Sequence, residues 1–187
     1  MSTAPVLGEP LPIELANTTY AVRGHPQDGL ADVDALVWWL DQVRPRLRGD
    51  VDLTTVDTAD LRAARELRDC VRALASAAVT SARPATADVD TLNRHVRVGR
   101  RWRELRWDRE PATEPCGTGP SVAAILSAIA QEAVDLFAGP AVAELRACQG
   151  PGCVLFFVKG HHRRGWCSAG CGNRARAARH YDSVRNR

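Results

Sequence analysis

Of the six cysteines in this 187-residue chain, four fall in its last 40 residues, as Cys148-x4-Cys153-x13-Cys167-x3-Cys171. Two close pairs separated by a short stretch are the usual way to offer four thiolates to one tetrahedral zinc ion. Gly150-Pro151-Gly152, inside the first pair, allows a turn tight enough for two sulfurs to converge. Ser168 and the helix-forming run Ala175 to Arg179 place the second pair at a helix start, where backbone amides favour thiolates. Disulfides fit less well, because the sequence shows no export signal and a reducing cytosol is the expected setting. A redox dithiol fits less well still, since neither pair has Cys-x-x-Cys spacing. One structural zinc is the expected cofactor, with Cys148, Cys153, Cys167 and Cys171 as its ligands.

Energetics points the same way. The last 40 residues hold few large apolar groups, chiefly Leu155, Phe156, Phe157, Trp166 and Tyr181, and so small a unit generally needs a metal or disulfides to fold. The expected order is a knuckle, a β-hairpin and a second knuckle leading into a helix, a treble clef. His161 and His162 would sit with Arg163 and Arg164 in that hairpin's turn, solvated or facing nucleic acid rather than ligating. In a helix from about residue 169, Arg176, Arg179, His180 and Ser183 share one face, with Arg174 nearly opposite. Arg163, Arg164, Arg176 and Arg179 are therefore the candidate DNA contacts, whereas Trp166, Asn173 and Arg174 are assigned to holding the finger together. Four such cations imply a salt slope of roughly −3.6 for duplex binding.

Outside the cluster, Cys70 lies beside a helical apolar stripe and reads as a buried, inert thiol, and Cys116 falls in a loop. Charge divides the chain in the same way as the cysteines. Residues 148 to 187 carry eight Lys+Arg against one acid, a balance of +7, whereas residues 1 to 147 carry 17 basic and 21 acidic residues, or −4. The net +3 thus hides a basic tail on an acidic body.

That body must position the tail, and it reads as mainly helical. The spacing predicts a helix from Asp32 to Pro45, with Val33, Leu36, Val37, Leu40 and Val43 inward, Trp39 flanking and Trp38 on the other side. A second starts at Asp57 or Thr58 and carries Leu61, Ala64, Leu67, Val71, Leu74 and Ala78. A third runs from Ala87 to Val98 with Val89, Leu92 and Val96 inward. A fourth begins at Ser121 and closes at Gly139-Pro140. Leu11 to Thr19 has no clear period. Residues 101 to 108 suggest a strand or hairpin arm with Leu105 and Trp107 on one face. There Trp102 and Trp107 are expected in the core under Arg stems, and residues 110 to 120 are expected to form a loop. The fold class expected is mainly α, a helical bundle-like domain over residues 1–145 with a short β-hairpin, plus a treble-clef finger over 146–187.

Trp166-Cys167-Ser168 and Cys171-Gly172-Asn173-Arg174, together with the Pro-Gly before Cys153 and the aromatic pair after it, resemble the CGNR zinc-finger family. Upstream, Glu14 to Thr18, the Asp34 to Leu40 segment, Glu66-Leu67-Arg68 and Leu92-Asn93 resemble the helical ABATE-type domain that accompanies this finger. The resemblance implies a bacterial, DNA-binding transcription regulator whose helical domain senses a stress-related ligand. The chain departs from a common form of the finger, in which an Asp and a Ser-Arg-Asn stretch follow the aromatic residue; here Lys159 to Arg164 stands in that place.

Three functions compete at this stage. The lead is a zinc-stabilised cytoplasmic regulator that contacts DNA through its basic finger and associates as a homodimer, without a membrane partner. The alternative is a module for a small-molecule effector or a protein, with the finger as a brace and a pocket near Asn17, Thr18 and Trp38. An enzyme is the third, a treble-clef nuclease using His161 or His162 with Asn173 or His180, for which no acid/base constellation is spaced.

Overall fold

The computed structural model describes residues 4–47, 52–99, 101–117 and 121–185. Its helices are α1 (Leu11–Ala16), α2 (Val33–Val43), α3 (Thr58–Thr80), α4 (Thr86–Val98), α5 (Val122–Ala138) and α6 (Ala169–Arg185). Three antiparallel strand pairs accompany them: β1 (Thr19–Val22) with β2 (His25–Asp28), β3 (Arg101–Trp107) with β4 (Pro111–Gly117), and β5 (Leu145–Ala147) with β6 (Phe156–Val158). The chain is mainly α, and no described helix is long and apolar enough to cross a membrane.

Helix starts follow from capping. Asp32 accepts from the Ala35 amide, Ser121 from the Ala124 amide, and Asp57 forms a capping box with Asp60. The long helix α3 buries Leu61, Ala64, Leu67, Cys70, Val71 and Leu74 along one stripe. The apolar α5 is buried from Val122 to Leu136 on most of its surface and packs against α1, α3 and α4. Trp39 is fully buried at the centre of the α2 stripe, not at its flank, and Trp38 is half-buried against the same core. On α4 the inward place given to Val89 belongs to His95, which is buried against Glu66 of α3 with Nε2 3.0 Å from the carboxylate.

Two hairpins depart from the sequence expectations. Arg23-Gly24 forms a two-residue turn between β1 and β2, short strands with too little apolar alternation to announce themselves. Residues 111 to 117, expected as loop, instead pair with β3 across the whole strand. Their prolines and glycine hid a strand that only a partner reveals. Leu105 and Trp107 do share a face, but they are 63% and 69% exposed, so Trp107 is not core. The side chain of Trp102 lies outside the described residues.

Burial pushes the Cys70 thiol up to about 12, with the acidic groups Asp88, Glu66 and Asp69 adding to the shift. Cys70 is therefore expected to resist alkylation by iodoacetamide in the folded, zinc-loaded protein and to react only on unfolding, as mass mapping of labelled peptides would reveal. Labelling of Cys70 at the rate of the more open Cys116 would contradict its burial.

Candidate metal centre

The first cysteine pair sits at the tip of the β5–β6 hairpin. The Cys148 amide donates to the Leu155 carbonyl at 2.8 Å and the Cys153 amide to the Gly150 carbonyl at 2.9 Å, closing the knuckle. Gly150 suits the tight space there, since a Cβ would stand 3.0 Å from Cys171 Cβ and 3.3 Å from its sulfur. The second pair straddles the start of α6, whose Cys171 amide donates to Ser168 Oγ at 3.3 Å. The sequence order is thereby corrected: the hairpin encloses the first knuckle, and residues 159–168 between β6 and α6 form turns rather than a second hairpin among the described residues.

All four sulfurs lie within 4.8 Å of one another, with Cys167 to Cys171 at 3.4 Å and Cys153 to Cys167 at 3.8 Å. Zinc–sulfur bonds of ~2.3 Å in a tetrahedron separate sulfurs by ~3.8 Å, so the spacing fits a metal and is far too long for disulfides. Three of the four cysteines are buried and all are free thiols. A hydrogen bond from Cys167 holds the Cys153 thiol down at about 5, the same bond keeps Cys167 protonated and pushes its thiol up, and burial pushes Cys148 up. Arg174 donates to the Cys171 sulfur at 3.0 Å, a cation placed to hold a thiolate. This is the four-cysteine site of one structural zinc, closed and without an open position for substrate.

The finger is set into the helical core. Asn17, fully buried, donates Nδ2 to the Phe156 carbonyl and accepts from the Phe156 amide at Oδ1, both at 2.9 Å, so its amide acts as a further partner of β6. Thr18, also buried, donates to the Leu15 carbonyl at 2.8 Å. Of the residues expected around a pocket, Asn17 and Thr18 are thus fully buried with their polar side chains bonded to backbone groups, and Trp38 is half-buried against the core. Buried Glu9 accepts from the Val158 amide at 2.9 Å and from Arg164. Arg72 of α3 bonds the carbonyls of Ala16, Thr19 and Val154, and its guanidinium lies 5.4 Å from the Phe156 ring centroid.

Arg164, counted from sequence among the DNA contacts, is turned inward. Besides Glu9 it donates to the carbonyls of Val158, Trp166 and Cys167 and lies 5.0 Å from the Phe157 ring centroid. Arg163, Arg176 and Arg179 are exposed. Asn173, exposed, accepts from Arg176 one turn on, and Trp166 is half-buried against the core and against Gly172. His161 and His162 are exposed and stand apart from the sulfur cluster. Glu9 and Arg72 escaped the sequence reading because a lone acid before a short helix and one Arg among 24 carry no local signal.

Among curated proteins, none matches the sequence significantly. Two family models do match, one after the other along the chain. Residues 9–140 match ABATE, described as "Putative stress-induced transcription regulator", and residues 144–183 match the CGNR zinc finger. With a four-cysteine cluster seated where the finger's ligands belong and a helical core covering the first match, the chain belongs to the ABATE family and carries a CGNR zinc finger at its C-terminal end.

Proposed function

We propose that the protein is a cytoplasmic DNA-binding transcription regulator, in which residues 146–187 contact DNA and residues 1–145 carry regulation and association into a homodimer. The observation that carries this reading is the bare cationic face of α6. Arg176 and Arg179 are exposed one turn apart, Arg163 is exposed in the turns before the helix, and none of the three forms an ion pair among the described residues. Exposed arginines one turn apart on a polar helix are the electrostatic footprint of phosphate binding. The regulator description of the family supports the same reading.

Turning Arg164 inward leaves three cations, so the expected slope of log affinity against log salt is about −2.7 for one chain. Replacing Arg176 and Arg179 by Ala should flatten it by about 2 and weaken binding to any duplex, as fluorescence anisotropy across a salt series would record. An unchanged slope would remove this face from the reading.

The brace reading draws on a different observation, the burial of Phe156 and Phe157 against the helical domain. The two roles are compatible, because the bracing contacts come from β5, β6 and Arg164 while Arg176 and Arg179 stay exposed on α6. Binding of a ligand by a protein that ignores DNA would leave bracing as the finger's whole role.

A further inference from the structure

A cleft of about 520 Å³ lies where the β1–β2 turn meets the first zinc knuckle, lined by Arg23 and Gly24 on one side and by Pro151, Gly152 and Arg174 on the other. Ligand sites concentrate at such junctions. Both turn residues hold positive φ, 52° for Arg23 and 83° for Gly24, the geometry of a two-residue hairpin turn in which Asn or Gly is the usual first residue. An arginine in that place fixes a cation at the mouth of the cleft at some backbone cost. Gly152, at φ 68°, comes so close that a Cβ on it would stand 3.2 Å from Gly24 Cα. Turn and knuckle are thus in direct contact.

Arg23 is exposed and has no carboxylate partner among the described residues. Arg174 uses one nitrogen on the Cys171 sulfur, which leaves further donors of its planar fork for a second acceptor. No acid lines the cleft. Two guanidinium groups line one concavity that no carboxylate enters, Arg23 without an acidic partner among the described residues and Arg174 with donors to spare beyond the Cys171 sulfur; together they suit a compact oxyanion, and the fork geometry matches phosphate.

We propose that this cleft binds the phosphoryl group of a small phosphorylated molecule, with Arg23 and Arg174 sharing its charge. Through Arg174 the ligand would be tied to a zinc ligand, and through Arg23 to the helical domain. On α6, Arg174 points about 160° away from Arg176, so the cleft is separate from the proposed DNA face. The inference takes only its regulatory meaning from the DNA reading; its test involves no DNA affinity, so either can fail alone.

Pyrophosphate is titrated into the zinc-loaded full chain at low salt, following the backbone amide resonances of Gly24 and Gly152, with zinc content measured before and after. Saturable shifts at both amides are expected. Arg23→Ala should weaken binding about tenfold or more at unchanged zinc content, because Arg23 touches no cysteine, whereas Arg109→Ala, on the distant β3–β4 turn, should not. Absence of saturable shifts, or equal weakening by both variants, overturns the site. Shifts of the same amides by a duplex oligonucleotide but not by pyrophosphate also overturn it, assigning the cleft to nucleic-acid phosphates instead.

Discussion

Removal of zinc is expected to unfold the helical region together with the finger, in one cooperative loss rather than as fraying of the last 40 residues. The reason is a shared core. Leu145 and Phe156 of the finger hairpin pack in one cluster with Ile13, Ala75 and Leu136, and Leu155, Phe157 and the zinc cysteines join the cluster that holds Trp39 and Leu67. Structural zinc contributes on the order of 10–16 kcal/mol in isolated fingers, comparable with the roughly 5–15 kcal/mol that holds a whole domain folded. Without the ion, Cys148 and Cys167 are pushed towards the thiol form, while Cys153 is held towards the thiolate by its bond from Cys167. Zinc loading must therefore release protons, and apparent affinity should rise with pH. Calorimetry of the loaded protein should show one transition; after chelation, or in Cys171→Ser, it should be lost or shifted far down, with near-UV circular dichroism lost as well. A helical region that keeps a cooperative transition near the original temperature would show that it folds without the finger.

What could be read from the sequence and what could not divides along contact range. The zinc ligands were legible because a metal demands donor types at local spacing, and α2, α3 and α5 because their stripes and caps are written within a few residues. His95 displaced Val89 on α4 because a partner 29 residues away, Glu66, completes it. Asn17 looked like a ligand-binding polar group from its neighbourhood; its true partner, Phe156, is 139 residues distant. Arg164 looked like a phosphate contact for the same reason, since a cation in a basic stretch reads as solvated until a buried acid is brought to it. Polar residues carry two opposite meanings, surface function or buried staple, and sequence spacing does not separate them.

Arg164 therefore supports the sharpest separation of bracing from DNA contact. Arg164→Ala leaves Glu9, whose side chain is 1% exposed, with the Val158 amide but without its cation, and strips a guanidinium from the Phe157 ring. Breaking a buried pair costs about 3–5 kcal/mol, and the 27% exposure of the Arg164 side chain admits enough water to bring the expected loss to about 2–3 kcal/mol. For a chain of this size the melting temperature should fall by about 5–10 °C. The salt slope of DNA binding should stay where the three exposed arginines set it. Arg176→Ala should do the reverse, flattening the slope by about 1 while moving stability by no more than about 0.5 kcal/mol. Adding Glu9→Gln to Arg164→Ala should recover part of the loss, because the charge left unpaired is then removed and the Val158 amide keeps an acceptor. If Arg164→Ala instead flattened the salt slope at unchanged stability, its bond to Glu9 would not hold the finger, and the sequence assignment of Arg164 to DNA would stand.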